Sequence, residues 1–176
     1  MRVILAEVRS RDAKLNDRKG RSPSAWASKE DQATFRKLVR ESDTVIIGRN
    51  TYEVQKKAFR AARGTPRIVM TRSLSRFKKE TVPGFLEFTS LSPSALIAQL
   101  RARFMRQVLL ASGPKLTKAF LKAGLVDELW LTVEPIVLGG RSQKMPPYQH
   151  MRLLRKKRLN KSGTMLLKYT FQRKPL

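Results

Sequence analysis

The 176-residue chain carries 38 Lys and Arg against 13 Asp and Glu, a formal net charge of +25, with 41% hydrophobic residues, no cysteine and one histidine. These numbers exclude disulfides, thiolate metal sites and a cysteine nucleophile, and with His150 alone they argue against a poly-histidine metal site or a serine–histidine–carboxylate triad. No apolar run approaches the roughly 18 residues of a membrane span and no secretory signal is visible, so the expectation is one soluble, cytoplasmic domain over residues 1–176 with no metal.

In chain order, residues 2–8 (RVILAEV) read as a buried first strand. Residues 9–27 form a polar loop with Gly20 and Pro23; a loop this long is uncommon without a function, and a plain surface loop is the alternative. From Ser28 a helix begins, with Phe35, Leu38 and Val39 on one face. Ser28 is a natural N-cap, and Ser28-x-x-Asp31 resembles a capping box with Asp in place of Glu. Thr44-Val45-Ile46-Ile47 is a short β-branched run ending at Gly48, the pattern of a strand buried on both faces. The turn Gly48-Arg49-Asn50-Thr51 opens a second helix to about Ala62, whose free N–H groups and positive dipole end could receive phosphate.

A third buried strand spans 67–71 (RIVMT), followed by Arg72-Ser73, and a shorter one spans 85–89. Ser92-Pro93 is a cap followed by proline at the first helical position, and Ala95, Ile97 and Leu100 supply that helix's apolar face. Strand 107–111 (QVLLA) runs into Ser112-Gly113-Pro114-Lys115-Leu116, a small-residue turn where backbone could approach a pyrophosphate. A long strand over 128–138 is broken by Gly139-Gly140. Strands over 151–159 and 164–172 are joined by Asn160-Lys161-Ser162-Gly163, which has hairpin chemistry. Strands alternating with helices, then a terminal hairpin, predict a three-layer α/β domain with a mixed, mostly parallel sheet.

Several of these segments together resemble the dihydrofolate reductase superfamily, which includes the C-terminal reductase domain of the bifunctional riboflavin-pathway deaminase–reductase. The segments are Trp26, Glu30-Asp31, Phe35-x-x-Leu38 and the strand entering G-R-N-T-Y; Ser10-x-Asp12-Ala13-Lys14-Leu15, similar to S-x-D-G-K-I with Ala13 for glycine; and AFLKAGLVDELWLTVEPIVLGG, similar to F-L-x-x-G-L-V-D-E-L followed by P-x-x-L-G-G. The resemblance covers nearly the whole chain. It implies NADPH as cofactor, hydride transfer to a C=N bond, a loop at 9–27 over cofactor and substrate, and a possible homodimer.

The resemblance also implies the site. Asp31, four residues before Phe35, would hold the amino group and ring nitrogen of a pterin or aminopyrimidine, with Ala6, Trp26 and Thr132 beside the substrate. Capping alone is the alternative role for Asp31, and Glu30 is a weaker candidate. Ala6, Gly48, Arg49, Asn50 and Thr51 would meet the cofactor, as would Ala111, Ser112, Gly113, Pro114, Lys115 and Leu116. Thr71, Arg72 and Ser73 would face the adenosine 2′-phosphate. Trp26 could instead plug the core, and Arg49 could be a surface charge. Asp31-x-x-x-Phe35 and the G-R-N-T-Y turn weigh toward dihydrofolate. The L-V-D-E-L and P-I-V-L-G-G segments weigh toward a ribosylaminopyrimidine phosphate, although Val54-Gln55-Lys56-Lys57 stands where those enzymes often have D-D-P. The reading adopted is a pterin substrate. A rival from another class is a nucleic-acid-binding protein on the same fold, because residues 135–176 hold eleven Lys or Arg, among them Arg155-Lys156-Lys157-Arg158, and no carboxylate.

Overall fold

The computed structural model describes residues 1–61, 64–139 and 148–172. The strands are β1 (Arg2–Ser10), β2 (Thr44–Gly48), β3 (Arg67–Met70), β4 (Leu86–Thr89), β5 (Gln107–Leu110), β6 (Glu128–Glu134), β7 (Met151–Arg158) and β8 (Met165–Phe171). The α-helices are α1 (Lys29–Arg40), α2 (Arg49–Ala61), α3 (Pro93–Ala102) and α4 (Pro114–Lys122). All eight strands form one sheet in the order β4-β3-β2-β5-β1-β6-β8-β7. Pairing is parallel from β4 through β6, and β8 lies antiparallel to both β6 and β7.

The short apolar strands send alternate residues to opposite faces, as the pleat requires. Val3, Leu5, Ile46, Ile68, Val108 and Leu110 pack on Leu96, Ile97 and Leu100 of α3 and Phe120 of α4. Ile4, Val45, Ile47, Val69 and Leu109 pack on the other side with Leu38 of α1 and Tyr52 of α2. A helix layer therefore covers each face of the sheet. That is why these strands read as unbroken hydrophobic runs rather than alternating ones.

Several boundaries depart from the sequence reading; β3, β5, β7 and β8 each end one residue earlier than expected, and β8 also begins one later. β1 continues to Ser10, because each added residue finds a partner on β6 down to Ser10 opposite Glu134. The strand expected over 128–138 stops at Glu134, since Pro135 has no N–H and β1 ends opposite it. Residues beyond turn toward the first loop, where the Asp12 carboxylate accepts the N–H groups of Leu138 (3.1 Å) and Gly139 (2.9 Å). Gly139 sits at φ +62°, the left-handed conformation that favours glycine, and a Cβ there would press at 3.0 Å on the movable guanidinium end of Arg18. Gly140 lies outside the described residues. Finally, α2 starts at Arg49 rather than Thr51, directly from the strand, and the fourth strand begins at Leu86 rather than Phe85.

The terminal hairpin is present, with a bulge between Leu153 and Arg155. Its outer strand β7 is the sheet edge and is exposed along almost its whole length. Arg155, Lys156, Lys157 and Arg158 stand there, and such a row of charge discourages edge-to-edge pairing.

Candidate active site

Six parallel strands place their carboxyl ends along one rim of the sheet, where α/β folds bind ligands. A cleft of about 1570 Å³ opens there. Except for Trp26 and the weaker candidate Glu30, it is lined by every residue singled out from the sequence as a site residue. Ala6 and Thr132 come from the adjacent strands β1 and β6, and Asp31 and Phe35 from α1. The Gly48–Thr51 turn, the Thr71–Ser73 loop and the 111–116 turn follow β2, β3 and β5.

Trp26 does not line the cleft. It closes a 3-10 turn (Pro23–Ala25), and its indole Nε1 is buried without a hydrogen-bond partner among the described residues. The chain reverses between Pro23 and Ala27, through a hydrogen bond from the Ala27 N–H to the Pro23 carbonyl, and Ala27 takes the wall position instead. Glu30 and His150 are exposed and also lie off the wall.

Two helices begin at this rim on neighbouring strands. Neither α2 nor α4 has an acidic residue in its first turn, and the N-cap of α4, Gly113, offers no side chain to the free N–H groups. The helix starts at Ser28 and Ser92 are instead capped by their own hydroxyls. Uncapped N–H groups with the positive dipole ends of two helices, beside Arg49, Arg72 and Lys115, are a donor set suited to phosphates. Ser112, where glycine is expected by resemblance, turns its hydroxyl to Thr117 at 2.9 Å. Across the sheet, Thr71 Oγ1 accepts the Ser73 N–H at 3.2 Å and shapes the loop carrying Arg72.

The opposite end of the cleft holds Asp31, 9% exposed. Its backbone N–H donates to the Ser28 hydroxyl at 3.2 Å, which is one half of the anticipated capping box. The other half is missing: the Ser28 N–H donates to Glu134 Oε1 at 2.8 Å, not to Asp31. The aspartate side chain therefore takes no part in the cap. Burial pushes the Asp31 carboxyl above its ordinary range, the Thr132 hydroxyl draws it down, and the charge of Glu134 pushes it up again.

The loop over 10–27 shapes a further wall through Leu15, Asn16, Asp17 and Arg18. Its turn is tied by Ser10 Oγ donating to Asp12 at 2.7 Å and the Lys14 N–H donating to Ser10 Oγ at 2.9 Å. Ala13 is left-handed, φ +59°, the conformation for which a glycine would be easier.

Sequence reasoning missed Glu134, Glu7, Arg36 and Trp130. Glu7, Arg36 and Trp130 line the cleft, and Glu134 lies behind it, 3% exposed. The signal for Glu134 was available: Thr132 and Glu134 are polar residues two apart in an otherwise apolar strand, hence on one face.

The profile of the RibD C-terminal domain family matches residues 2–167 of the chain. The uncharacterized protein YwjB of Bacillus subtilis (strain 168) is 34% identical over 101 residues, which span 56% of this chain and 55% of that protein. Among solved structures, a Shewanella sp. PV-4 protein linked to riboflavin biosynthesis aligns with TM-score 0.79 and 20% identity, over 98% of this chain and all of that one. A Thermotoga maritima diaminohydroxyphosphoribosylaminopyrimidine deaminase/5-amino-6-(5-phosphoribosylamino)uracil reductase aligns with TM-score 0.76 and 15% identity. That alignment takes in 97% of this chain and 56% of the larger protein. At such identities these structures establish a shared fold.

Proposed function

Since the chain belongs to the RibD C-terminal domain family, we propose that it is a pyrimidine reductase that uses NADPH to reduce a phosphoribosylamino-substituted aminopyrimidine. The carrying observation is the single cleft that joins two acid-free helix N-termini to a buried carboxyl. This departs from the dihydrofolate reading. Asp31 and Phe35 at helical spacing would grip an amino-substituted pyrimidine ring, and a pterin contains the same ring, so they do not select between the two substrates. The family match, which extends through the L-V-D-E-L and P-I-V-L-G-G segments, supports the pyrimidine.

The N–H groups opening α2 and α4, with Arg49, Thr51 and Lys115, would hold the pyrophosphate, and Arg72 with Ser73 the 2′-phosphate. When bound, the reduced nicotinamide supplies the hydride. The ring-opened ribosylamine presents a C=N bond, and its reduction adds hydride to carbon and a proton to nitrogen. Asp31, buried at the cleft wall, would supply that proton, and the side chains of Phe35 and Trp130 would keep water from the reacting atoms. Alignment of donor and acceptor carries much of the rate.

The test is loss of nicotinamide absorbance with 5-amino-6-(5-phosphoribosylamino)uracil and with dihydrofolate, assayed side by side. Turnover of the first is expected. Turnover of dihydrofolate alone would overturn the substrate, and turnover of neither would overturn the reductase.

A further inference from the structure

Trp130 meets the cleft in a fixed attitude. It stands on the face of the sheet that packs against α1, between Ala6 of β1 and Lys168 of β8, its partners in the two ladders. Its indole N–H donates to Glu128 Oε2 at 2.9 Å, and Lys168 Nζ lies over its ring, 3.1 Å from the centroid. Neither Glu128 nor Lys168 lines the cleft, so what the indole presents there is the ring face turned away from the lysine. The charges behind that ring sum to positive. Glu128 is shared with Arg2, whose Nη1 donates to Oε1 at 3.1 Å. Lys37 and Glu41 of α1 pair with each other at 3.7 Å. Arg155 of β7 stands opposite Lys168 in the hairpin ladder and adds a further cation.

We propose that Lys168, acting through the Trp130 ring, makes the cleft select a neutral uracil over a protonated pterin-type ring. The proposal rests on the reductase reading above. Asp31 and Phe35 would grip both rings alike, but the rings differ in charge. A pterin or a 2,4-diaminopyrimidine has an amidine-like ring that takes up a proton beside a carboxylate. A diaminouracil carries two carbonyls and stays neutral. With Asp31 alone the protonated ring would be favoured, because its bond to the carboxylate is charge-assisted on both sides. A cation behind the wall opposes that preference. A ring stacked on the free face of the indole would lie roughly 7 Å from Lys168 Nζ. At that distance, in a half-buried site, repulsion of a unit positive charge weakens binding by about tenfold or more. The lysine also draws π-density to its own side of the indole, so the far face stacks better on an electron-rich ring such as a diaminouracil.

The experiment is calorimetric titration of the full chain, without NADPH, with two probes: 5,6-diaminouracil, and 2,4-diaminopyrimidine at a pH that keeps it protonated. Wild type should favour the uracil. Lys168→Met keeps the apolar stem and removes the charge, and should shift the ratio of the two dissociation constants by about tenfold toward the diaminopyrimidine. Lys168→Arg should restore the wild-type ratio. A lysine with a merely structural role would weaken both probes alike and leave their ratio unmoved. In Trp26→Phe, Trp130 is the one remaining tryptophan, and 5,6-diaminouracil should quench its emission. An unchanged ratio in Lys168→Met overturns the proposal, as does uracil binding without quenching. Should Lys168→Met not fold, Lys168→Gln is the second uncharged variant, and a wild type that binds the two probes equally, or neither, refutes the proposal by itself. Ring binding is read without turnover. A wild type that selects the uracil but does not oxidise NADPH with 5-amino-6-(5-phosphoribosylamino)uracil would overturn the reductase reading alone, and an active enzyme with an unmoved ratio would overturn this proposal alone.

Discussion

Replacing Asp31 with asparagine separates catalysis from helix capping in one protein. The side chain does not cap α1, because Ser28 supplies the cap and Glu134 takes the second capping bond. Removing a negative charge from the first turn costs about 0.3–1 kcal/mol through the helix dipole. Relief of burying that charge beside Glu134 acts in the opposite direction. The net change should stay within about 1 kcal/mol, or roughly 2–4 °C in Tm for a chain of this length. The sign depends on pH. With the folded-state carboxyl raised above its ordinary 3.8, the aspartate favours the fold below that value, and its contribution is lost as pH rises through the folded-state pKa. Asparagine has no such dependence, so the variant's Tm should gain on wild type as pH rises from acidic to neutral. Turnover should meanwhile fall by about 10²- to 10³-fold, the usual weight of a positioned acid. Thermal melts across pH and steady-state NADPH oxidation measure both. Intact turnover with a Tm lower by many degrees would show that Asp31 is structural and refute the reasoning.

Ala13→Gly should raise Tm by roughly 2–4 °C, because about 1 kcal/mol of left-handed strain at φ +59° is removed; an unchanged or lower Tm would contradict that strain. NADPH should bind more tightly than NADH in fluorescence quenching at moderate salt, and Arg72→Gln should narrow the difference; equal dissociation constants in the wild type would argue against a 2′-phosphate site after β3. Changing Arg155, Lys156, Lys157 and Arg158 on β7 to Gln should leave turnover at saturating substrate within about twofold, since the edge strand lies off the cleft and acts at most through screened steering. Tight nucleic-acid binding near physiological salt, abolished by that change, would favour the binding-protein reading.

The substrate question shows the limit of local motifs. Asp31 four residues before Phe35 is legible as a helix-face pair, but the ring they would grip is common to both substrates. The longer C-terminal pattern pointed the other way, and the family match agrees with it. Trp26 shows a comparable limit. An aromatic shortly before Asp31 suggests a wall, yet the chain turns through Pro23–Ala25 just ahead of Trp26, and Ala27 lines the cleft instead.

The sequence by itself determined the elements and the layers. Runs such as Val45-Ile46-Ile47 and Val108-Leu109-Leu110 can bury both faces only inside a helix-covered parallel sheet, and Ser28, Ser92-Pro93 and Gly113-Pro114 mark helix starts by local chemistry alone. Tertiary structure decided which side chains serve the cleft. Whether Asp31 caps its helix or faces the cleft depends on Glu134, 103 positions away (134 minus 31), arriving on β6 to claim the Ser28 N–H. Spacing along a helix fixes which face a residue occupies, but only the packed sheet fixes what that face meets and what charge lies behind it.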